Sequence, residues 1–110
     1  MSSVTNQANK KLGLLISARP AHPNFERGIE LALEAIHAGV GVYLYLIDNA
    51  VEGMSAPRLR ELQKRGGHIF ACAHAARRRD LELRGEIVFA GLGQLSEIIA
   101  HTDRFVTFDE

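Results

Sequence analysis

Five short apolar runs, each closed by turn-forming residues and separated from the next by a segment with helical spacing, constrain this 110-residue chain more than any other feature. The runs are Leu12–Ser17, Val42–Ile47, His68–Ala73, Ile87–Ala90 and Arg104–Phe108. The first three are apolar on successive residues rather than on alternate ones. Both faces of such strands must therefore be covered. Between them, Phe25, Ile29, Leu33 and Ile36 recur at helical spacing behind a start near Pro23-Asn24, with Asn24 as cap or Pro23 in the first turn, and Gly39 supplies the stop. A loop through Gly53 follows. Ser55 can cap a helix presenting Leu59 and Leu62, which ends at Arg65-Gly66-Gly67. Ala73–Arg79 has helix-forming composition, and Leu92–Ala100 carries Leu95, Ile98 and Ile99 inward.

Strict alternation of strand and helix implies parallel strands joined by right-handed crossovers. The expected fold is a single α/β domain spanning 1–110, with 1–10 as a flexible tail. It is a three-layer α/β/α sandwich around a mainly parallel five-stranded sheet, of the flavodoxin-like or Rossmann-like kind. Periodicity does not fix the strand order. Thirteen basic and thirteen acidic side chains cancel, and aromatic residues are only 6%, so neither a nucleic acid nor an anionic membrane is an expected partner. The longest nearly unbroken apolar run, Val40–Ile47, is far short of the ~20 residues that cross a bilayer. A single cysteine excludes an intrachain disulfide, a CxxC pair and a multi-cysteine zinc site. A reducing, cytoplasmic location is expected.

Ligands in such sheets bind beyond the carboxyl ends of the strands, here the segments Ser17–Asn24, Asp48–Met54, Cys72–His74 and Gly91–Gln94. Cys72 falls where a strand passes into a helix, and the unpaired amides and positive end of that helix favour a thiolate. The competing reading is a small buried hydrophobe. His74, Arg77, Arg78 and Arg79 are candidate cationic neighbours, and His22 and Asn24 come from the first rim loop. A Cys-His-His metal site can be drawn from Cys72, His74 and His22, but no pair has a zinc spacing, and no metal is expected. His37, His68 and His101 fall at helix ends or the opposite edge. No GxGxxG or GxxxxGK[ST] follows the first strand. Ser17, His22 and Asp48 lack the GxSxG elbow of a hydrolase. Cys72 and Arg78 have the C-x5-R spacing of cysteine phosphatases, yet the intervening Ala-His-Ala-Ala-Arg has no glycine to curl amides around a phosphate and reads as helix.

Phe70-Ala-Cys72, Ala75-Ala-Arg-Arg78, Val88-Phe-Ala-Gly-Leu92 and the closing Asp103-Arg-Phe-Val-Thr-Phe108 together resemble the DsrE/DsrF/DsrH-like and TusD-type sulfur-relay proteins. Lys11–Ser17 and Val42–Asp48 fit as well. Arg79 stands where relatives commonly carry Gly, and His22-Pro23-Asn24 is not a general feature of them. The resemblance implies a subunit that carries sulfur as a persulfide on Cys72, without metal or organic cofactor, in a trimer or hexamer. Its partners would be a small sulfur-carrier protein or another donor or acceptor thiol. His74, Arg77, Arg78, His22 and Asn24 would then support the thiolate or the partner. Some members of this fold lack transferase activity, so an oligomeric binding or scaffold module is the alternative.

Overall fold

The computed structural model describes residues 10–83 and 87–110. The tail expected over 1–10 lies outside the described residues, apart from Lys10. The chain runs β1 (Lys11–Ile16), α1 (Pro23–His37), β2 (Gly41–Leu46), a 3₁₀ helix (Asp48–Gly53), α2 (Pro57–Lys64), β3 (His68–Cys72), α3 (Ala73–Arg78), β4 (Val88–Ala90), α4 (Leu92–His101) and β5 (Arg104–Phe108). All strand pairs are parallel, in the order β4-β3-β2-β1-β5.

Strand order and handedness set the layers. The crossovers from β1 through β4 all step the same way, so their helices share one face of the sheet, and the return from β4 to β5 puts α4 on the other. Close packing shows both faces on β1. A Cβ at Gly28 of α1 would come within 2.6 Å of Ile16, and one at Gly13 within 2.8 Å of Ile98 of α4. Residues 13 and 16 point to opposite faces of a strand.

The face under α1 and α2 forms the larger core. Leu12, Leu14 and Ile16 lie in register with Val42, Leu44 and Leu46, and Leu44 and Leu46 with Ile69 and Ala71. Phe25, Ile29 and Leu33 of α1 and Leu59 and Leu62 of α2 close over them, all buried. The α4 face is thinner, and Val88, Leu92 and Ile99 remain 54%, 62% and 50% exposed.

Helix ends follow a shared device. Gly39 (φ 86) and Gly66 (φ 100) take the left-handed conformation that ends α1 and α2, with Val40 N–H donating to Ala35 O (3.0 Å) and Gly67 N–H to Leu62 O (2.9 Å). α3 ends in the same way through Asp80 (φ 55), with Leu81 N–H donating to Ala76 O (2.9 Å). Helix starts differ from the expected caps. Asn24 is not the cap of α1: His22 is, with Pro23 in the first turn. Ser55 does not cap α2, which begins at Ala56-Pro57 without a side-chain cap, because proline presets the first turn. The expected loop after β2 is a 3₁₀ helix, which Asp48 enters at φ 53.

Candidate functional site

Cys72 ends β3 and caps α3. Its backbone is still extended (φ −67, ψ 115) while its sulfur accepts the Ala75 amide at 3.4 Å. A strand running directly into a helix leaves no loop between them, so the side chain at the junction meets the first unpaired amides of that helix. The residue is 7% exposed. It borders an open cavity of about 280 Å³, formed where the carboxyl ends of β2, β3 and β4 meet α3. Ile47 and Asp48 follow the first, Gly91 and Leu92 the last, His74, Ala75 and Arg78 come from α3, and Arg79 from its C-cap.

The two arginines of α3 and the one at its C-cap separate in role. Arg79 folds back across the rim: its guanidinium donates to Ala75 O (3.1 Å) and Asn49 Oδ1 (2.7 Å) and pairs with Glu52 (3.3 Å). It ties α3 to the 3₁₀ helix. Arg78 lines the cavity and has no hydrogen bond or ion pair among the described residues. Arg77 is exposed and does not line it. His74 and Asp48, both exposed, are likewise without a partner at the cavity mouth.

His22 and Asn24 do not join this group, because β2 lies between β1 and β3. His22 Nδ1 accepts the Asn24 amide (3.1 Å), Asn24 Nδ2 donates to Asp109 O (2.6 Å), and Arg27 donates to Asn24 Oδ1 (2.8 Å). These side chains fasten the start of α1 to the segment after β5. Ser17, His22 and Asp48 form no hydrogen-bonded triad among the described residues: Ser17 N–H donates to Phe108 O (3.0 Å) beside β5, and His22 Nδ1 is taken by the Asn24 amide. Of the remaining histidines, His68 stacks on Tyr43 (4.7 Å between ring centres) and His101 pairs with Glu97 (3.2 Å). Among the described residues no three His, Cys, Asp or Glu side chains gather as a metal site. Residues 73–78 form a regular helix, so Cys72 and Arg78 do not bracket a phosphate cradle.

One residue beside the thiol escaped the sequence reading. Tyr45 is the largest fully buried side chain. Its hydroxyl donates to Ala90 O at 3.0 Å, and Ala90 is the residue of β4 in register with Cys72. Tyr45 itself pairs with Phe70, two residues before Cys72, so tyrosine and cysteine share the α4 face of neighbouring strands. Burial above all, then the charge and hydrogen bonding of Cys72, push Tyr45 up to about 12. The signal was present in Val42–Ile47, since a tyrosine in a buried strand needs a partner for its hydroxyl. Which partner depended on strand order and register.

The model of the DsrE/DsrF-like family matches residues 10–108. Among solved structures, the ychN protein from E. coli superimposes with a TM-score of 0.79 at 15% identity, over 90% of this chain and 98% of that one. A conserved protein of unknown function from Bacteroides thetaiotaomicron, BT1422, gives 0.75 at 18% identity, over 92% and 97%. At these identities the likeness is one of fold. A search of curated proteins finds no match.

Proposed function

The chain belongs to the DsrE/DsrF-like family, and from that premise we propose that it is a cytoplasmic sulfur-relay subunit holding sulfur as a persulfide on Cys72. The observation that carries the reading is the position of the only thiol, capping α3 beside an open cavity with an unpartnered guanidinium at its mouth. In the proposed step the Cys72 thiolate attacks the outer sulfur of a donor persulfide. A new S–S bond forms on Cys72, the donor's S–S bond breaks, and the donor leaves as a thiolate. Delivery is the same exchange in reverse, with an acceptor thiolate attacking the outer sulfur on Cys72. No external oxidant or cofactor enters, because the sulfur moves at its own oxidation level.

The Ala75 amide lies on the sulfur and would stabilise its anionic form. Arg78 and His74 are free to meet an anionic donor or the acidic rim of a small sulfur-carrier protein. Arg79 serves by holding α3 in place, and His22 and Asn24 by fixing the neighbouring loop. The resemblance to the family also supports a homo-oligomer, trimer or hexamer. The exposed Val88, Leu92 and Ile99 provide apolar surface for it, and light scattering at micromolar concentration reads the assembly directly.

The test of the carrier reading is intact mass after incubation with polysulfide or thiosulfate. A gain of about 32 Da, one sulfur atom, is expected on the wild type and not on Cys72→Ser. No gain, or one that persists in Cys72→Ser, overturns it. The second reading, a binding or scaffold module in which Cys72 only packs, is favoured by the low exposure of that residue and predicts no adduct.

A further inference from the structure

The buried phenol next to the thiol has a role that backbone support alone does not require. A tyrosine hydroxyl has one proton to donate; here the Ala90 carbonyl takes it at 3.0 Å, and Ala90 is in register with Cys72, whose sulfur on the same face of the sheet is the neighbouring acceptor. A neutral thiol is a weak acceptor and can itself donate, so the phenol gives its proton to the carbonyl. A thiolate reverses that preference, because a hydrogen bond to an ionised acceptor is about twice as strong as a neutral one.

We infer that Tyr45 is the positioning residue of the thiol, its hydroxyl turning from the Ala90 carbonyl to the sulfur of Cys72 when that sulfur becomes anionic. The inference rests on Cys72 being the reacting atom. Geometry supports it independently of any sulfur donor. Tyr45 is wholly buried, it shares the α4 face with Cys72 on the neighbouring strand, and its acceptor Ala90 is the residue of β4 in register with Cys72. An anionic sulfur would then have two donors, the fixed Ala75 amide and a phenol that responds to its charge. The upward push on Tyr45 agrees, since a phenol that loses its proton beside an anionic sulfur faces both burial and a like charge.

The experiment uses iodoacetamide alkylation of Cys72, which reads thiolate reactivity without invoking sulfur transfer. The other ionisable groups facing the cavity, Asp48 from the 3₁₀ helix, His74 and Arg78 from α3 and Arg79 from its C-cap, are the same in both proteins compared. Tyr45→Phe should slow alkylation about tenfold at pH 7, the loss of one hydrogen bond to a charged group, and the difference should close at high pH where the thiol ionises unaided. A merely structural role would change the rate by the same factor at every pH, and that outcome overturns the inference. Equal rates at pH 7 also overturn it.

A second measurement stands if Tyr45→Phe does not fold. The chain has two tyrosines, so Tyr43→Phe leaves Tyr45 as the single reporter of tyrosinate absorbance. In that background Cys72→Ala should bring tyrosinate formation to lower pH, because coupling between two titrating groups is mutual. Superimposable titration curves refute the contact. Failure of sulfur loading with either result here would sink the carrier reading alone, since neither readout depends on a persulfide.

Discussion

The β1/β5 half of the sheet's carboxyl rim and the β2/β3/β4 half are built from the same kinds of residue, histidine, arginine and carboxylate, used in opposite ways. In the first half every one of the named side chains is committed. Arg19 binds Glu110 through both its backbone amide (2.8 Å) and its guanidinium, Asn24 holds Asp109, and His22 has its Nδ1 lone pair on an amide. In the second half Arg79 is committed to Glu52 and Asn49, whereas Arg78, His74 and Asp48 have no partner among the described residues around the thiol. The difference separates side chains spent on the fold from side chains left available. A histidine that caps a helix through Nδ1 cannot take a ligand on that nitrogen without releasing the cap, whereas an unpartnered guanidinium beside a thiol loses nothing by binding an anion.

The sharpest break in this comparison is all-or-none. Cys72→Ala should abolish sulfur loading while leaving the fold intact. His22→Ala should load sulfur normally and unfold more easily by about 1 kcal/mol, the usual worth of a cap. Mass spectrometry and urea denaturation on the two variants decide it. A His22 variant that folds but fails to load would put the first half of the rim back into the site.

Next in size is a pH effect on the thiol half. Tyr45 ionises at about 12 in the fold against 10.0 when free. A group whose folded value is raised contributes stability in full below its unfolded value and loses it as pH rises toward the folded one. Stability should therefore fall between pH 10 and about 12, by roughly 2 to 3 kcal/mol across the window. Tyr45→Phe should flatten that part of the curve relative to wild type, as followed by chemical denaturation at each pH. A slope unchanged by the substitution would mean that Tyr45 is already solvated.

Arg78 and Arg79 sharpen the contrast within one helix. Arg78→Ala should slow loading from an anionic donor a few-fold at low salt and little at high salt, with stability unchanged, since exposed charges act mainly on encounter. Arg79→Ala should do the reverse, lowering stability by about 1 kcal/mol through its lost contacts to Asn49 and Ala75. Rates at two ionic strengths beside a denaturation curve separate the two. If Arg79→Ala alone slows loading, the assignment of roles is inverted.

The smallest effect belongs to the committed half. Hydrogen bonding from the Arg19 amide, helped by the charges of Arg19 and His22, holds the exposed Glu110 carboxyl below its ordinary 4.5. A depressed carboxylate adds stability above its unfolded value and loses it as pH falls through the folded one. Glu110→Gln should thus remove a small part of the acid sensitivity below about pH 4.5, visible at low salt only.

Much of this was determined locally. Strand positions followed from apolar runs, and the ends of α1 and α2 from glycines placed where a left-handed residue closes a helix. Asp80 closes α3 with the same geometry and was illegible, because aspartate marks a turn far less specifically than glycine. Of the two starts offered for α1, Pro23 in the first turn holds and Asn24 as cap does not, because a histidine also offers a lone pair to an amide and sequence cannot rank two acceptors two residues apart. Cys72 as a strand-to-helix junction was legible for the same local reason as the strands.

Its surroundings were not. The sequence by itself determined the elements, the parallel sheet and the position of the thiol, since each depends on the spacing and chemistry of residues close along the chain. Only the tertiary structure decided the order β4-β3-β2-β1-β5, and that order assigns every neighbour. It puts β2 between His22 and Cys72, brings Arg78 and Asp48 to one cavity, and lays the hydroxyl of Tyr45 against Ala90 across β3. Such contacts join residues tens of positions apart, and their energy comes from burial and register summed over the whole sheet, which no local pattern encodes.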